Sequence, residues 1–125
     1  DELHRRLMGM SDWLQWTHGR QGTGYEKMLL ARTTWPLGFD CYLLRYAPGS
    51  SIPPHTDPVT TKRHYRLNIV VWHATEGGEF ECATPIYVSP RIKFFRPDAC
   101  EHSVTPVISG TRYVFSMGWT LKAKS

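Results

Sequence analysis

From Lys27 onward the chain is a succession of short stretches rich in β-branched and aromatic residues: KMLLART, CYLLRY, YRLNIVVW, GEFECA, PIYV, RIKFF, HSVTPVI and TRYVFSMGW. Clusters of Gly, Pro, Asp and Ser interrupt them before any could complete a helix of ordinary length. This pattern predicts about eight strands, and strands at such spacing have to close into a sandwich or barrel to bury their apolar faces. In the last stretch Arg112, Val114 and Ser116 alternate with Tyr113, Phe115 and Met117, so Arg112 and Ser116 fall on one face. The EGGE stretch at 76–79 and the Ser109-Gly110 pair predict tight turns, with glycine supplying the left-handed backbone.

The first residues have a different period. Leu3, Leu7, Met10 and Leu14 fall at helical spacing with Trp13 and Trp16 beside them, and Ser11-Asp12 can cap a second short helix. We therefore expect a helical preface over about 1–24 and a β core over about 27–120, within a single domain of 125 residues. No apolar run approaches the roughly 20 residues that cross a bilayer, so a soluble, cytoplasmic protein without membrane contact is expected. The formal charge is +4, but the basic residues are scattered, which favours an ordinary solvated surface over a nucleic-acid footprint. Cys41, Cys82 and Cys100 form no Cys-x-x-Cys pair and read as reduced, mostly buried thiols.

The chemistry concentrates in SSIPPHTDPV, residues 50–59. Two prolines restrict the backbone to an extended approach, and residues two apart in a strand project to one side, so His55 and Asp57 can aim at one point. A lone His-x-Asp is common. It gains weight from His102, in a second strand-like run, because two imidazoles and one carboxylate make the facial triad that leaves coordination positions open on non-haem iron. His4, His18, His64 and His73 have no comparable partners and read as surface or packing residues, as Trp72, Phe115 and Trp119 read as core.

His-x-Asp, a distal His102 followed by Pro106-Val107, and Gly110-x-Arg112 ten positions after that histidine resemble the double-stranded β-helix core of the Fe(II)- and 2-oxoglutarate-dependent dioxygenases. The patterns YAPGSSIPPHTD, RLNIVV, GGEF and EHSVTPVISGTRYVFSMGW are similar to its prolyl-hydroxylase-like branch, with likeness to the aspartyl β-hydroxylases, over about residues 41–120. The resemblance implies a mainly β jelly roll of cupin-like shape behind the N-terminal helices. It also implies Fe(2+) on His55, Asp57 and His102, and Arg112 on the far carboxylate of 2-oxoglutarate. A guanidinium suits that task because its planar fork gives paired charge-assisted hydrogen bonds to a carboxylate.

Further positions follow from alternation and the same resemblance. Tyr42, Leu44 and Tyr46 share a face, and Tyr46 occupies the place of a tyrosine that contacts 2-oxoglutarate in similar enzymes; a core tyrosine is the other reading. Ser116 is placed to join Arg112, although related families put that hydroxyl two positions after the arginine and here the spacing is four. Arg66, Asn68, Val70 and Trp72 share a face, making Arg66 and Asn68 candidates for substrate contact, with a rim arginine as the alternative. The implied activity is an oxygenase, a hydroxylase by default, that consumes O2 and 2-oxoglutarate and acts on a C–H of a peptidyl or amino-acid side chain. The nucleic-acid demethylase branch carries a second arginine six positions after the first, and this chain has Gly118 there, which disfavours it. The competing readings are a cupin-like ligand or partner binding module without turnover, and a nucleic-acid-directed oxygenase.

Overall fold

The computed structural model describes residues 14–19, 23–34 and 37–122, and every regular element among them is a β-strand. In chain order these are β1 (Trp16–His18), β2 (Glu26–Thr33), β3 (Gly38–Tyr46), β4 (Ile52–His55), β5 (Lys62–Trp72) and β6 (Glu76–Gly77). They continue with β7 (Phe80–Cys82), β8 (Tyr87–Val88), β9 (Ile92–Phe95), β10 (His102–Val104), β11 (Val107–Ser109) and β12 (Arg112–Lys122). Seven form one sheet in the order β1-β2-β3-β12-β5-β9-β8, three form a second in the order β4-β10-β7, and β11 pairs with β6. The last strand is thus inserted between β3 and β5, and the chain passes repeatedly between sheets, as a jelly roll requires.

Alternation along β12 sets the interior. Arg112, Val114, Ser116 and Gly118 are buried while the residues between them are partly exposed. Val114 lies opposite Leu44 on β3 and Val70 on β5, and it packs with Tyr46, Val104 and Val107 in the core. Each such side chain contributes roughly 1.5–3 kcal/mol by leaving water. Ser116, one step along the same face, lies opposite Tyr42 and Asn68, which carries the polar wall of the interior into register with the core.

Several expectations need correction. The helical preface does not extend to residue 18: Trp16, Thr17 and His18 pair antiparallel with Met28, Lys27 and Glu26 as an edge strand. Leu14, just before them, has φ of 58°, which no right-handed helix accommodates. The rest of the helical expectation, Leu3 to Trp13 with the Ser11-Asp12 cap, lies outside the described residues. The EGGE stretch does have Gly77 and Gly78 at positive φ, but it joins β6 to β7, which pair with different partners, so it is a corner between sheets and not a hairpin turn. HSVTPVI is two strands, β10 and β11, divided at Thr105-Pro106. Trp72 is 67% exposed and not core, because an irregularity in the pairing of β5 with β12 near Tyr113 breaks the alternation that placed it inward.

The cysteines also differ from expectation. Cys82 and Cys100 are joined by a disulfide, leaving Cys41 as the free, buried thiol among the three. No local motif announces this bond, because the partners are 18 positions apart and meet through pairing of β7 with β10.

Candidate metal centre

His55 ends β4, the outer strand of the three-stranded sheet, where both preceding prolines are exposed and no ladder hydrogen bond is lost to them. Its register partner is His102, the first residue of β10, and the ring centroids are 4.3 Å apart. Asp57 follows in the loop, fixed by its backbone N–H donating to the Pro97 carbonyl at 2.7 Å. Its two carboxylate oxygens each lie 3.5 Å from one histidine, Oδ1 from His55 Nε2 and Oδ2 from His102 Nε2. All three residues present a ligand atom within 4.8 Å of the others.

The hydrogen bonds determine which nitrogen is free. His55 Nδ1 is 2.8 Å from the Pro53 carbonyl and His102 Nδ1 is 2.9 Å from the Cys100 carbonyl. A carbonyl only accepts, so each Nδ1 must carry hydrogen, and the lone pair of a neutral ring is left on Nε2, facing Asp57. Orienting a ligand histidine through its other nitrogen is the usual outer support of a metal site. Two imidazole nitrogens and a carboxylate suit a first-row divalent cation and leave positions open to further ligands.

The triad opens into a cavity of about 270 Å³ between the sheets. Tyr42, Leu44 and Tyr46 line it from β3, Arg66 and Asn68 from β5, and Ser116 from β12, as the alternation predicts. Arg66 is no rim residue. Its guanidinium donates to Asp40 Oδ1 at 2.6 Å and to Ser116 Oγ at 2.7 Å, so it lies along the cavity wall with its charge balanced. It lies across Gly118, its register partner on β12, where a Cβ would overlap the guanidinium. Ser116 is therefore bonded to Arg66. Asn68 is 9% exposed, and its Oδ1 has no hydrogen-bond partner.

Arg112 is 3% exposed and is not among the residues lining the cavity. Its guanidinium carbon lies 5.0 Å from the centroid of the Tyr46 ring, so it packs against a residue that does line the cavity. Burial holds the Arg112 pKa below its ordinary range, against the opposing influence of Tyr46 and Glu79. The Tyr46 phenol is pushed up by its own burial. Among the described residues no carboxylate forms an ion pair with Arg112.

Four polar lining or supporting residues were given no site role from the sequence: Tyr25, Lys27, His64 and Asp40. The signal existed for two of them. Asp40 and His64 stand two positions before Tyr42 and Arg66, so one further step of the same alternation reaches each. His64, read as a packing residue, lines the cavity with its pKa lowered by burial and by the Arg66 charge.

The sequence matches no protein-family model and no curated protein, and its likeness to known proteins lies in the fold. A prolyl-4-hydroxylase from Pseudomonas putida superposes with a TM-score of 0.64 at 15% identity, covering 98% of this chain and 84% of that one. The viral collagen prolyl hydroxylase of Paramecium Bursaria Chlorella virus-1, solved with 2-oxoglutarate, gives 0.58 at 19% identity, covering 83% of this chain and 84% of that one. KdgF from Halomonas sp. gives 0.55 at 19% identity over the same shares. Identities this low carry the fold and not the activity. The described residues form an all-β, cupin-like jelly roll in which His55, Asp57 and His102 could hold a metal ion.

Proposed function

We propose that the chain is an Fe(II)- and 2-oxoglutarate-dependent oxygenase that hydroxylates a C–H of a peptidyl or amino-acid side chain. The observation that carries this reading is the convergence of two Nε2 lone pairs and the Asp57 carboxylate at the mouth of an internal cavity. His55, Asp57 and His102 would hold the iron. With 2-oxoglutarate and O2 the metal supplies the oxidising step, one oxygen atom entering the substrate and the other entering succinate, with release of CO2.

The chain's own work is binding and exclusion. Arg112 is a buried cation that forms no ion pair with a carboxylate among the described residues, an arrangement that is costly until an anion arrives, and the far end of a dicarboxylic acid would meet that need. Tyr46, packed against Arg112 and lining the cavity, would be the neighbour of that carboxylate. Leu44, Ile52, Phe80, Phe95 and Val104 supply the apolar part of the lining, which would keep water from the reacting centre. Asp40 and Ser116 hold Arg66 against the wall and keep that space open.

The test is conversion of 2-oxoglutarate to succinate by the iron-loaded chain, with His55→Ala as the comparison. Full turnover by that variant with undiminished iron content would refute the ligand assignment. A cupin-like module that binds without turnover is the second reading, favoured by the likeness to cupins outside the hydroxylases, such as the Cnp3 cupin domain of Schizosaccharomyces pombe (TM-score 0.53, 12% identity, covering 87% of this chain and 69% of that one). Metal binding without succinate formation against any peptide or amino acid would select it.

A further inference from the structure

The cavity carries a cation for which the oxygenase reading has no use. Lys27 on β2 lines it together with the triad, and its Nζ lies 5.2 Å from the centroid of the Tyr42 ring. The Tyr42 hydroxyl accepts a hydrogen bond from Arg32 Nη2 at 2.8 Å, which helps to hold the ring under the ammonium. The other side-chain cation lining the cavity, Arg66, is neutralised by Asp40 at 2.6 Å. Among the described residues no carboxylate forms an ion pair with Lys27. Among the described residues the one acidic side chain lining the cavity is Asp57, which belongs to the metal site.

A second observation indicates a ligand in the same space. The Oδ1 of Asn68 is buried and unpartnered, and Asn68 lines the cavity, so a bound molecule that brings an N–H or O–H removes a desolvation cost. Among the described residues the cavity thus presents an ammonium on β2 without a carboxylate and an acceptor on β5 without a donor.

We propose that Lys27 is a specificity-determining residue and that the primary substrate is an acidic peptide, placing one carboxylate on Lys27 and an N–H on Asn68. This rests on the oxygenase reading and goes beyond it by naming the substrate class. A single ammonium in a cavity whose arginine, Arg66, is already paired matches one carboxylate; a nucleic-acid backbone, with a charge on every phosphate, calls for a track of free cations. At about 270 Å³ the cavity lies at the lower end of the volumes that hold small ligands, so it takes the cosubstrate and one side chain rather than a whole macromolecule.

The experiment uses the full chain loaded with Mn(II) and 2-oxoglutarate, titrated calorimetrically at low salt. The probes are N-acetylated, C-amidated Gly-Asp-Gly and Gly-Glu-Gly, their Asn and Gln twins, acetylated Gly-Gly-Gly with a free carboxyl terminus, and a thymidine oligonucleotide. An acidic probe is expected to bind about tenfold or more tightly than its neutral twin. Lys27→Met should abolish the difference and Lys27→Glu invert it, with Mn(II) affinity unchanged in both as evidence of intact folding. The free-carboxyl tripeptide separates a chain terminus from an acidic side chain as the source of the anion. Equal binding of acidic and neutral probes, binding of none, discrimination that survives in Lys27→Met, or tighter binding of the oligonucleotide each overturns the proposal. Failure of the oxygenase reading has a separate signature: Mn(II) or 2-oxoglutarate does not bind, whatever the peptides do.

Discussion

His55 and His102 face each other across the pairing of β4 with β10, and each donates its Nδ1 hydrogen to the carbonyl two residues before it in the chain. The backbone of each strand thereby sets the tautomer of its own histidine, and both Nε2 atoms point at Asp57 before any ion arrives. Replacing a ligand should cost more than the 10–100-fold typical of an outer partner. His55→Ala, Asp57→Ala and His102→Ala are each expected to weaken Mn(II) binding at least about 100-fold, measured by titration of the paramagnetic ion, while the far-ultraviolet spectrum stays that of a β protein.

Arg112 separates function from stability. Because its charge is buried with no ion-paired carboxylate among the described residues, Arg112→Met replaces a desolvated cation with an apolar chain of similar length and should leave the unliganded melting temperature unchanged or raise it. The same substitution should weaken 2-oxoglutarate binding by about 100-fold or more through loss of a bidentate contact. A large fall in melting temperature with unaltered 2-oxoglutarate affinity would mark Arg112 as a purely structural residue.

Gly118 is needed by the side chain that lies across it. A methyl group at that position overlaps the Arg66 guanidinium, which must then leave Asp40 or Ser116. Gly118→Ala is expected to lower stability by about 1–3 kcal/mol, the usual cost of overpacking, and to reshape the cavity wall. Chemical denaturation gives the first effect. The second is visible as a weaker response of Asn68 amide resonances to added ligand.

The disulfide closes a loop with a sequence separation of 18 that contains β8 and β9. On loop entropy alone its removal in Cys82→Ser/Cys100→Ser should cost about 3 kcal/mol, seen as a fall in melting temperature on the order of 10 °C. The Cys100 carbonyl also orients His102, so metal affinity should decline with it, within the 10–100-fold range of an outer partner. Unchanged calorimetric stability in the double variant or under a dithiol reductant would contradict this account.

His64 predicts a pH dependence. Burial and the Arg66 charge depress its pKa below the ordinary value of 6.5, so the folded chain keeps the ring neutral at a pH where the unfolded chain protonates it. The unfolded state then binds more protons and stability rises with pH. The contribution is whole above about pH 6.5 and is lost as pH falls from there toward the depressed value. Asp98 adds acid sensitivity of the same sign further down: burial raises its pKa, but hydrogen bonds from Arg96 and the backbone outweigh this and hold it below 3.8. Urea midpoints from pH 5 to 8 should slope upward in the metal-free protein, with a shallower slope in His64→Gln.

Much of this molecule is legible in the chain because its strands follow a period of two. Alternation in YRLNIVVW and TRYVFSMGW assigns Arg66, Asn68, Arg112 and Ser116 to the interior, and the prolines before His55 mark an edge strand running into a ligand pair. Those properties are local: they depend on covalent geometry and on neighbours in sequence. Tertiary structure alone decided the rest. Cys82 meets Cys100, Arg66 finds Asp40 across β12, Trp72 turns outward at an irregularity, and Tyr46 packs against Arg112, each through contacts between strands far apart in the chain. Periodicity says which way a side chain points, whereas register and sheet order determine what it meets there.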